Sequence, residues 1–233
     1  MTATRPYGVA YIVATPIGNL QDISFRAVAV LKAVPLIAAE DTRHTRILLN
    51  HYGITTPCLS YFEHNRFTRI PRIVDHLKSG QDIAVVTDAG TPGISDPAYK
   101  LIRAVIQEEI RVEVIPGPTA VITALVTSGL PTDQFFFEGF LPVKKGRKSR
   151  LNLLKQIPGT LVLYESPRRL PRTLRDLAVA LGDRPAVVCR ELTKIHEEIH
   201  RGTLSGLASH YEGHPPKGEC VILVGKDDPN VWF

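Results

Sequence analysis

Three observations predict an α/β fold in two parts for this 233-residue chain. Short apolar runs alternate with helical stretches through the first half. A Pro116-Gly117-Pro118 break interrupts them. The second half resumes the alternation in a more mixed order. Strand–helix alternation is the signature of a parallel sheet covered by helices. We therefore expect a parallel-sheet N-terminal α/β domain over 1–116 and a mixed-sheet C-terminal α/β domain over 117–233, with a ligand cleft between them.

In the first half, strands are expected over 9–14, 36–40, 58–61, 82–86 and 112–115, and helices over 24–32, 42–51, 67–79 and 97–109. Ser24 and Thr42 are the expected N-caps. The run Ile83-Ala84-Val85-Val86 is apolar throughout, as a strand buried on both faces requires. Beyond the break, helices are expected over 119–128, 147–156, 168–181 and 204–212. Strands are expected over 135–140, 160–164, 186–191, 195–201 and 219–224, and the tail 227–233 is expected to fray.

The loops after the strands are stiff. Thr87-Asp88-Ala89-Gly90-Thr91-Pro92-Gly93-Ile94-Ser95-Asp96-Pro97 follows one strand, and Ser95 or Asp96 is placed to cap the next helix. Thr15-Pro16-Ile17-Gly18-Asn19-Leu20, Pro116-Gly117-Pro118-Thr119-Ala120 and Glu165-Ser166-Pro167 follow others. Proline fixes φ, and glycine lets backbone approach closely. Ligands of open α/β sheets bind beyond the carboxyl ends of the strands. One such loop is an ordinary turn; four of them point to a ligand site built largely of backbone.

Composition narrows the class. Hydrophobic residues make up 44% and charged residues 22%, as in globular proteins. No apolar run approaches the ~20 residues of a membrane span, and 1–8 lacks the apolar core of a leader. Cys58, Cys189 and Cys220 are odd in number and widely spaced, which fits reduced thiols in the cytoplasm. Between Lys144 and Arg175 lie ten Lys or Arg and one acid, a segment of +9 in a chain of +5. That concentration is the footprint of a polyanion, although a solvated helix face is the commoner meaning of a charge run.

Several chemistries are disfavoured. The first strand is not followed by G-x-G-x-x-G, and no Walker A sequence occurs. His196-Glu197-Glu198-Ile199-His200 matches H-E-x-x-H, but its residues favour a strand. There the histidines would lie roughly 13 Å apart, too far to share a zinc ion. No metal site is expected. Glu40, Asp41, Arg43 and His44 gather at a strand-to-helix transition. Asp41 or Thr42 capping the helix is the simple role. Orienting a hydroxyl, or accepting its proton, is the chemical one.

Seven segments in order resemble the tetrapyrrole methylase superfamily, and within it the branch that methylates cytidine 2′-oxygens in 16S ribosomal RNA. They are the residues at 11–20, 39–43, 88–97, 115–120, 137–142, 164–170 and 190–194, and the likeness runs from about Gly8 to Lys226. The resemblance implies S-adenosylmethionine as methyl donor, a homodimer, and two α/β domains flanking the cofactor. It implies cofactor contacts at Pro16, Gly18, Asp88, Ala89, Gly90, Thr91, Ile94, Ser95, Pro116, Gly117, Thr119, Ala120 and Phe140.

The expected reaction is direct transfer to the 2′-oxygen of a cytidine in the decoding region of the small ribosomal subunit. Asp88, Glu40, Asp41 and Glu165 are the candidates to receive the hydroxyl proton. Arg43, Arg168 and Arg169 could hold phosphates near the site, with Lys144, Lys145, Arg147, Lys148 and Arg150 gripping RNA farther out. Methylation of a tetrapyrrole-like small molecule and a non-catalytic RNA-binding role in ribosome assembly are the competing readings.

Overall fold

The computed structural model describes residues 6–232, so part of the leader expectation for 1–8, and Phe233, lie outside the described residues. The chain divides into two compact units, one ending at Thr119 and the other beginning at Ala120.

The first unit carries β1 (Ala10–Val13), α1 (Phe25–Ala33), β2 (Ile37–Ala39), α2 (Thr42–His51), β3 (Cys58–Ser60), α3 (Arg66–Lys78), β4 (Ile83–Val86), α4 (Ala98–Gln107) and β5 (Val112–Ile115). The sheet runs β3-β2-β4-β1-β5, and every pairing is parallel. All four residues of β4 are buried. Pleating sends Ala84 and Val86 into a core with Leu31 of α1 and Leu49 of α2. Ile83 and Val85 enter the opposite core with Leu77 of α3 and Leu101 of α4. Right-handed crossovers produce this division, because the chain leaves β1 and β2 in one direction across the sheet and β3 and β4 in the other. The strands on either side of β4 therefore send their helices to the face that α4 does not cover. Such a switch point opens a crevice beyond the carboxyl ends.

The caps are local. Ser24 accepts from Ala27 N at 3.1 Å and starts α1. Asp41, rather than Thr42, caps α2: its backbone is extended and its carboxylate accepts from Arg43 N at 2.8 Å. Asp96 accepts from Ala98 N and Gly93 N at 2.8 and 2.7 Å, closing the loop that leads into α4.

The second unit carries α5 (Ala120–Ser128), β6 (Phe135–Phe140), α6 (Arg147–Leu154), β7 (Thr160–Glu165), α7 (Leu170–Leu181), β8 (Pro185–Arg190), β9 (Glu198–Thr203), α8 (Leu204–Gly213) and β10 (Cys220–Val224). Its sheet runs β6-β7-β10-β8-β9, with β6–β7 parallel and the other pairs antiparallel. The central β10 is wholly buried, as an apolar run of five predicts. Cys189 and Cys220 are buried free thiols, pushed up to about 12 by burial, and Cys58 is half-buried.

Two expectations change here. The strand expected over 195–201 begins at Glu198, because a turn with Glu191 and Thr193 at φ 52° and 65° precedes it. His196 sits in that turn and His200 on β9, so the H-E-x-x-H residues do not share one element. The tail does not simply fray: Asp227 pairs with the buried Arg184 at 3.3 Å, and Val231 N donates to Asp228 O at 3.0 Å.

A polar network joins β7 to α7. Glu165 is buried; it accepts from Ser166 N at 2.7 Å and Thr173 Oγ1 at 2.6 Å and pairs with Arg169 at 3.1 Å. Arg147 is also buried, donating to Thr173 Oγ1, Pro142 O and Asp176 at 2.9, 3.1 and 2.8 Å. Removing one partner of a buried ionic network strands the others without solvent. Glu165→Ala should therefore destabilise the protein by about 3 kcal/mol in urea unfolding. A change below about 0.5 kcal/mol, the level of an inert surface substitution, would contradict this structural role.

Candidate functional site at the carboxyl edge of the first sheet

Three loops meet beyond β1, β4 and β5. Thr15 N donates to Gly90 O at 2.9 Å and Gly90 N to Thr15 O at 3.0 Å, so the first two loops are joined as a one-residue antiparallel bridge. Thr15 Oγ1 adds a bond to Thr87 O at 3.2 Å. Thr91 Oγ1 donates to Pro118 O at 3.1 Å and ties in the third loop. Gly90 has φ +81°, and a Cβ there would meet Ile17 Cγ2 at 3.4 Å. At Gly117 a Cβ would lie 3.0 Å from the Ala14 Cβ. Glycine is favoured at 90 by its left-handed backbone and at 117 by the close approach to Ala14.

The expected cofactor contacts divide between the units. Pro16, Gly18, Asp88, Ala89, Gly90, Thr91, Ile94, Ser95, Pro116, Gly117 and Thr119 lie on these three loops of the first unit. Ala120 opens α5 and Phe140 ends β6, both in the second unit. Phe140 is exposed and tilts against Tyr164 with ring centroids 5.7 Å apart. Ser95 sits at φ 66°, a left-handed backbone uncommon for a side-chain-bearing residue. The loops suit an adenosyl amino acid. Close-packed glycines leave room against the backbone, Thr91 and Ser95 bring hydroxyls, Asp88 brings a carboxylate, and Ile94 brings an exposed apolar side chain.

A carboxylate cluster flanks the loops. Thr87 Oγ1 donates to Glu40 Oε2 at 2.5 Å, and Asp88 N approaches the same oxygen at 3.4 Å. Asp41 N donates to Asp88 Oδ1 at 3.0 Å. The ends of β2 and β4 are thereby crosslinked. The acids differ sharply. Arg43 holds the Asp41 carboxyl far below the usual range through Nε at 3.2 Å and Nη2 at 2.8 Å. Burial raises Asp88 above the ordinary 3.8, and the neighbouring Glu40 adds to the rise. Asp41 is thus a committed cap, whereas Asp88 is the better proton acceptor. Thr87, which the sequence reading passed over, positions Glu40; its only signal is that it immediately precedes Asp88.

Glu165 lies in the second unit, where it is buried and its oxygens are engaged by Ser166 N, Thr173 Oγ1 and Arg169. The basic candidates also separate. Arg147, Arg150 and Arg169 are spent on Asp176, Glu138 and Glu165. Arg43 is exposed but bound to Asp41. Lys144, Lys145, Lys148 and Arg168 are exposed, with no ion pair among the described residues.

No group of His, Cys, Asp or Glu among the described residues is arranged to hold a metal ion, and no helix there is long and apolar enough to cross a membrane.

Comparison with known proteins supplies the context for this geometry. A protein of Synechocystis named "Ribosomal RNA small subunit methyltransferase I" is 52% identical over 221 residues, covering 94% of this chain and 79% of that protein. A Thermotoga maritima protein of the same name is 48% identical, covering 94% of this chain and all of its own length. Among solved structures, uroporphyrin-III C-methyltransferase of Thermus thermophilus, complexed with S-adenosylhomocysteine, superposes with a TM-score of 0.65. That match is 17% identical and covers 93% of this chain and 97% of the other. The model of the Tetrapyrrole (Corrin/Porphyrin) Methylases matches residues 9–208. Two α/β units, three loops hydrogen-bonded together at one sheet edge and this match place the chain in the tetrapyrrole (corrin/porphyrin) methylase family.

Proposed function

We propose that the protein transfers a methyl group from S-adenosylmethionine to the ribose 2′-oxygen of a cytidine in 16S rRNA, in the decoding region of the small ribosomal subunit. The observation that carries this reading is the 48–52% identity, across 94% of the chain, to proteins named as small-subunit rRNA methyltransferases. The S-adenosylhomocysteine in the Thermus neighbour supports the choice of donor. The exposed lysines around α6 support a polyanionic substrate. We further propose that it works as a homodimer in the cytoplasm.

The bound donor supplies an electrophilic methyl group; what remains for the protein is positioning and proton removal. The loops at 15–18, 88–95 and 116–119 would hold the donor, presenting backbone groups at fixed positions. Asp88 accepts the hydroxyl proton as the oxygen attacks. Its raised proton affinity brings it closer to the hydroxyl's than that of Asp41, which Arg43 keeps ionised. Glu40, fixed by Thr87, holds the Asp88 backbone in place. Lys144, Lys145, Lys148 and Arg168 attract the RNA backbone, and Arg43 lends a further cation at the site edge.

The test is radiolabelled methyl transfer to small ribosomal subunits from cells lacking the protein, followed by nucleoside mass spectrometry. Label on a cytidine 2′-oxygen is expected. Intact donor binding with no label in any ribosomal RNA would overturn the reading in favour of a small-molecule substrate or a non-catalytic assembly role.

Two further outcomes follow from the site. Asp88→Asn keeps an acceptor for Asp41 N but loses the base, so kcat should fall about 10²- to 10⁴-fold. Because the base must be ionised, wild-type rate should fall on acidification. That fall should begin above pH 3.8, the ordinary carboxyl value, since Asp88 is raised. A wild-type acid limb that persists in Asp88→Asn would assign the base elsewhere. Replacing Lys144, Lys145, Lys148 and Arg168 together with Ala should weaken RNA binding. It should also flatten the logarithmic salt dependence by about 0.7–0.9 per lost phosphate contact, leaving donor affinity unchanged. An unaltered salt slope would exclude this surface from RNA contact.

A further inference from the structure

Beside the carboxylate cluster lies an open cleft of about 440 Å³, lined by Glu40, Glu63, Ser95, Asp96, Pro97, Tyr99 and Lys100. It shares Glu40 with the proposed catalytic network, so whatever fills it lies against the reacting edge of the sheet. Its walls are chemically mixed. Tyr99, on the first turn of α4, is 59% exposed and takes part in no hydrogen bond or ring contact among the described residues. A large aromatic left open beside a polar cleft is a surface for a flat ring.

Glu63 lines the same cleft. Lys100 and Arg66 both pair with its Oε1, the former at 2.8 Å. Its Oε2 has no protein partner among the described residues, and neither has Oε1 of Glu40, whose Oε2 takes Thr87 and Asp88 N. Both Asp96 oxygens are spent on Gly93 N and Ala98 N. The cleft therefore offers carboxylate acceptors, one lysine and one exposed aromatic face.

We propose that this cleft binds an unstacked nucleobase bearing an exocyclic amine, with Tyr99 as its stacking surface and Glu63 as the acceptor of the amine. The inference rests on the rRNA methyltransferase reading and adds to it how the target nucleotide is held. Carboxylates accept hydrogen bonds from an amino group and repel a keto oxygen in the same place, so they separate cytosine or adenine from uracil. Stacking on an aromatic tolerates any base, so Tyr99 supplies affinity and Glu63 supplies choice. A ribose attached to a base in this cleft is carried towards Glu40 and Asp88.

The experiment measures methyl transfer to unmethylated small subunits by wild type, Tyr99→Ala and Tyr99→Phe, alongside S-adenosylhomocysteine affinity. Tyr99→Ala should raise KM for subunits about 5- to 100-fold. Tyr99→Phe should stay near wild type, and S-adenosylhomocysteine affinity should stay constant in both. In a second arm, subunits whose mapped target base is changed to uracil should lose about 10-fold or more in kcat/KM with wild type. Glu63→Gln should narrow that difference. An unchanged KM in Tyr99→Ala, or equal rates on amino- and keto-bearing targets, overturns the inference and leaves the rRNA reading standing. Absence of transfer to any ribosomal RNA by wild type overturns both.

Discussion

The reciprocal backbone bonds between Thr15 and Gly90 hold the site together. Neighbouring parallel strands β1 and β4 send their helices to opposite faces, so their loops part as they leave the sheet. Without a crosslink the crevice between them would be two mobile turns. The bridge places position 90 at φ +81°, a left-handed backbone that glycine adopts without strain. Thr91 then extends the tie to Pro118, and three loops become one rigid edge. Rigid placement of backbone groups is what a transfer reaction requires, since alignment of donor and acceptor carries much of the barrier.

The same edge shows how similar side chains are given different work by their neighbours. Asp41 and Asp88 are joined through one hydrogen bond, yet their proton affinities diverge. Arg43 and the start of α2 stabilise charge on Asp41, while burial and Glu40 oppose it on Asp88. Pairs of carboxylates pushed apart in this way are how acid and base roles are assigned on one fold. In the second unit, Glu165 occupies a comparable place after a strand, but its oxygens are consumed by Ser166, Thr173 and Arg169. Position at a strand end is shared; accessibility is not.

Much of this was legible in the sequence. The apolar run at Ile83–Val86 announces a strand covered on both faces, and the glycines and prolines after β1, β4 and β5 announce the loops that meet. Ser24 reads correctly as a cap because its role depends only on residues within a turn. What was hidden depends on tertiary direction. Arg147 belongs to a basic run but turns inward to Asp176 and Thr173, and nothing local distinguishes it from the exposed Lys148. The turn at 191–197 rests on positive φ at Glu191 and Thr193, residues that carry no such signal. Tyr99 and Glu63 stand 36 positions apart, and only the place of β3 and β4 on either side of β2 in one parallel sheet brings them to one cleft.

The central claim is that the loops beyond β1, β4 and β5 hold the methyl donor beside the Glu40–Asp88 pair. A crystal structure of the protein with S-adenosylhomocysteine tests it most directly. The account predicts ligand density against Gly90, Thr91 and the Pro116–Thr119 loop, with its sulfur on the side facing Asp88. Ligand bound away from these loops, with Thr15 and Gly90 still bridged, would contradict it.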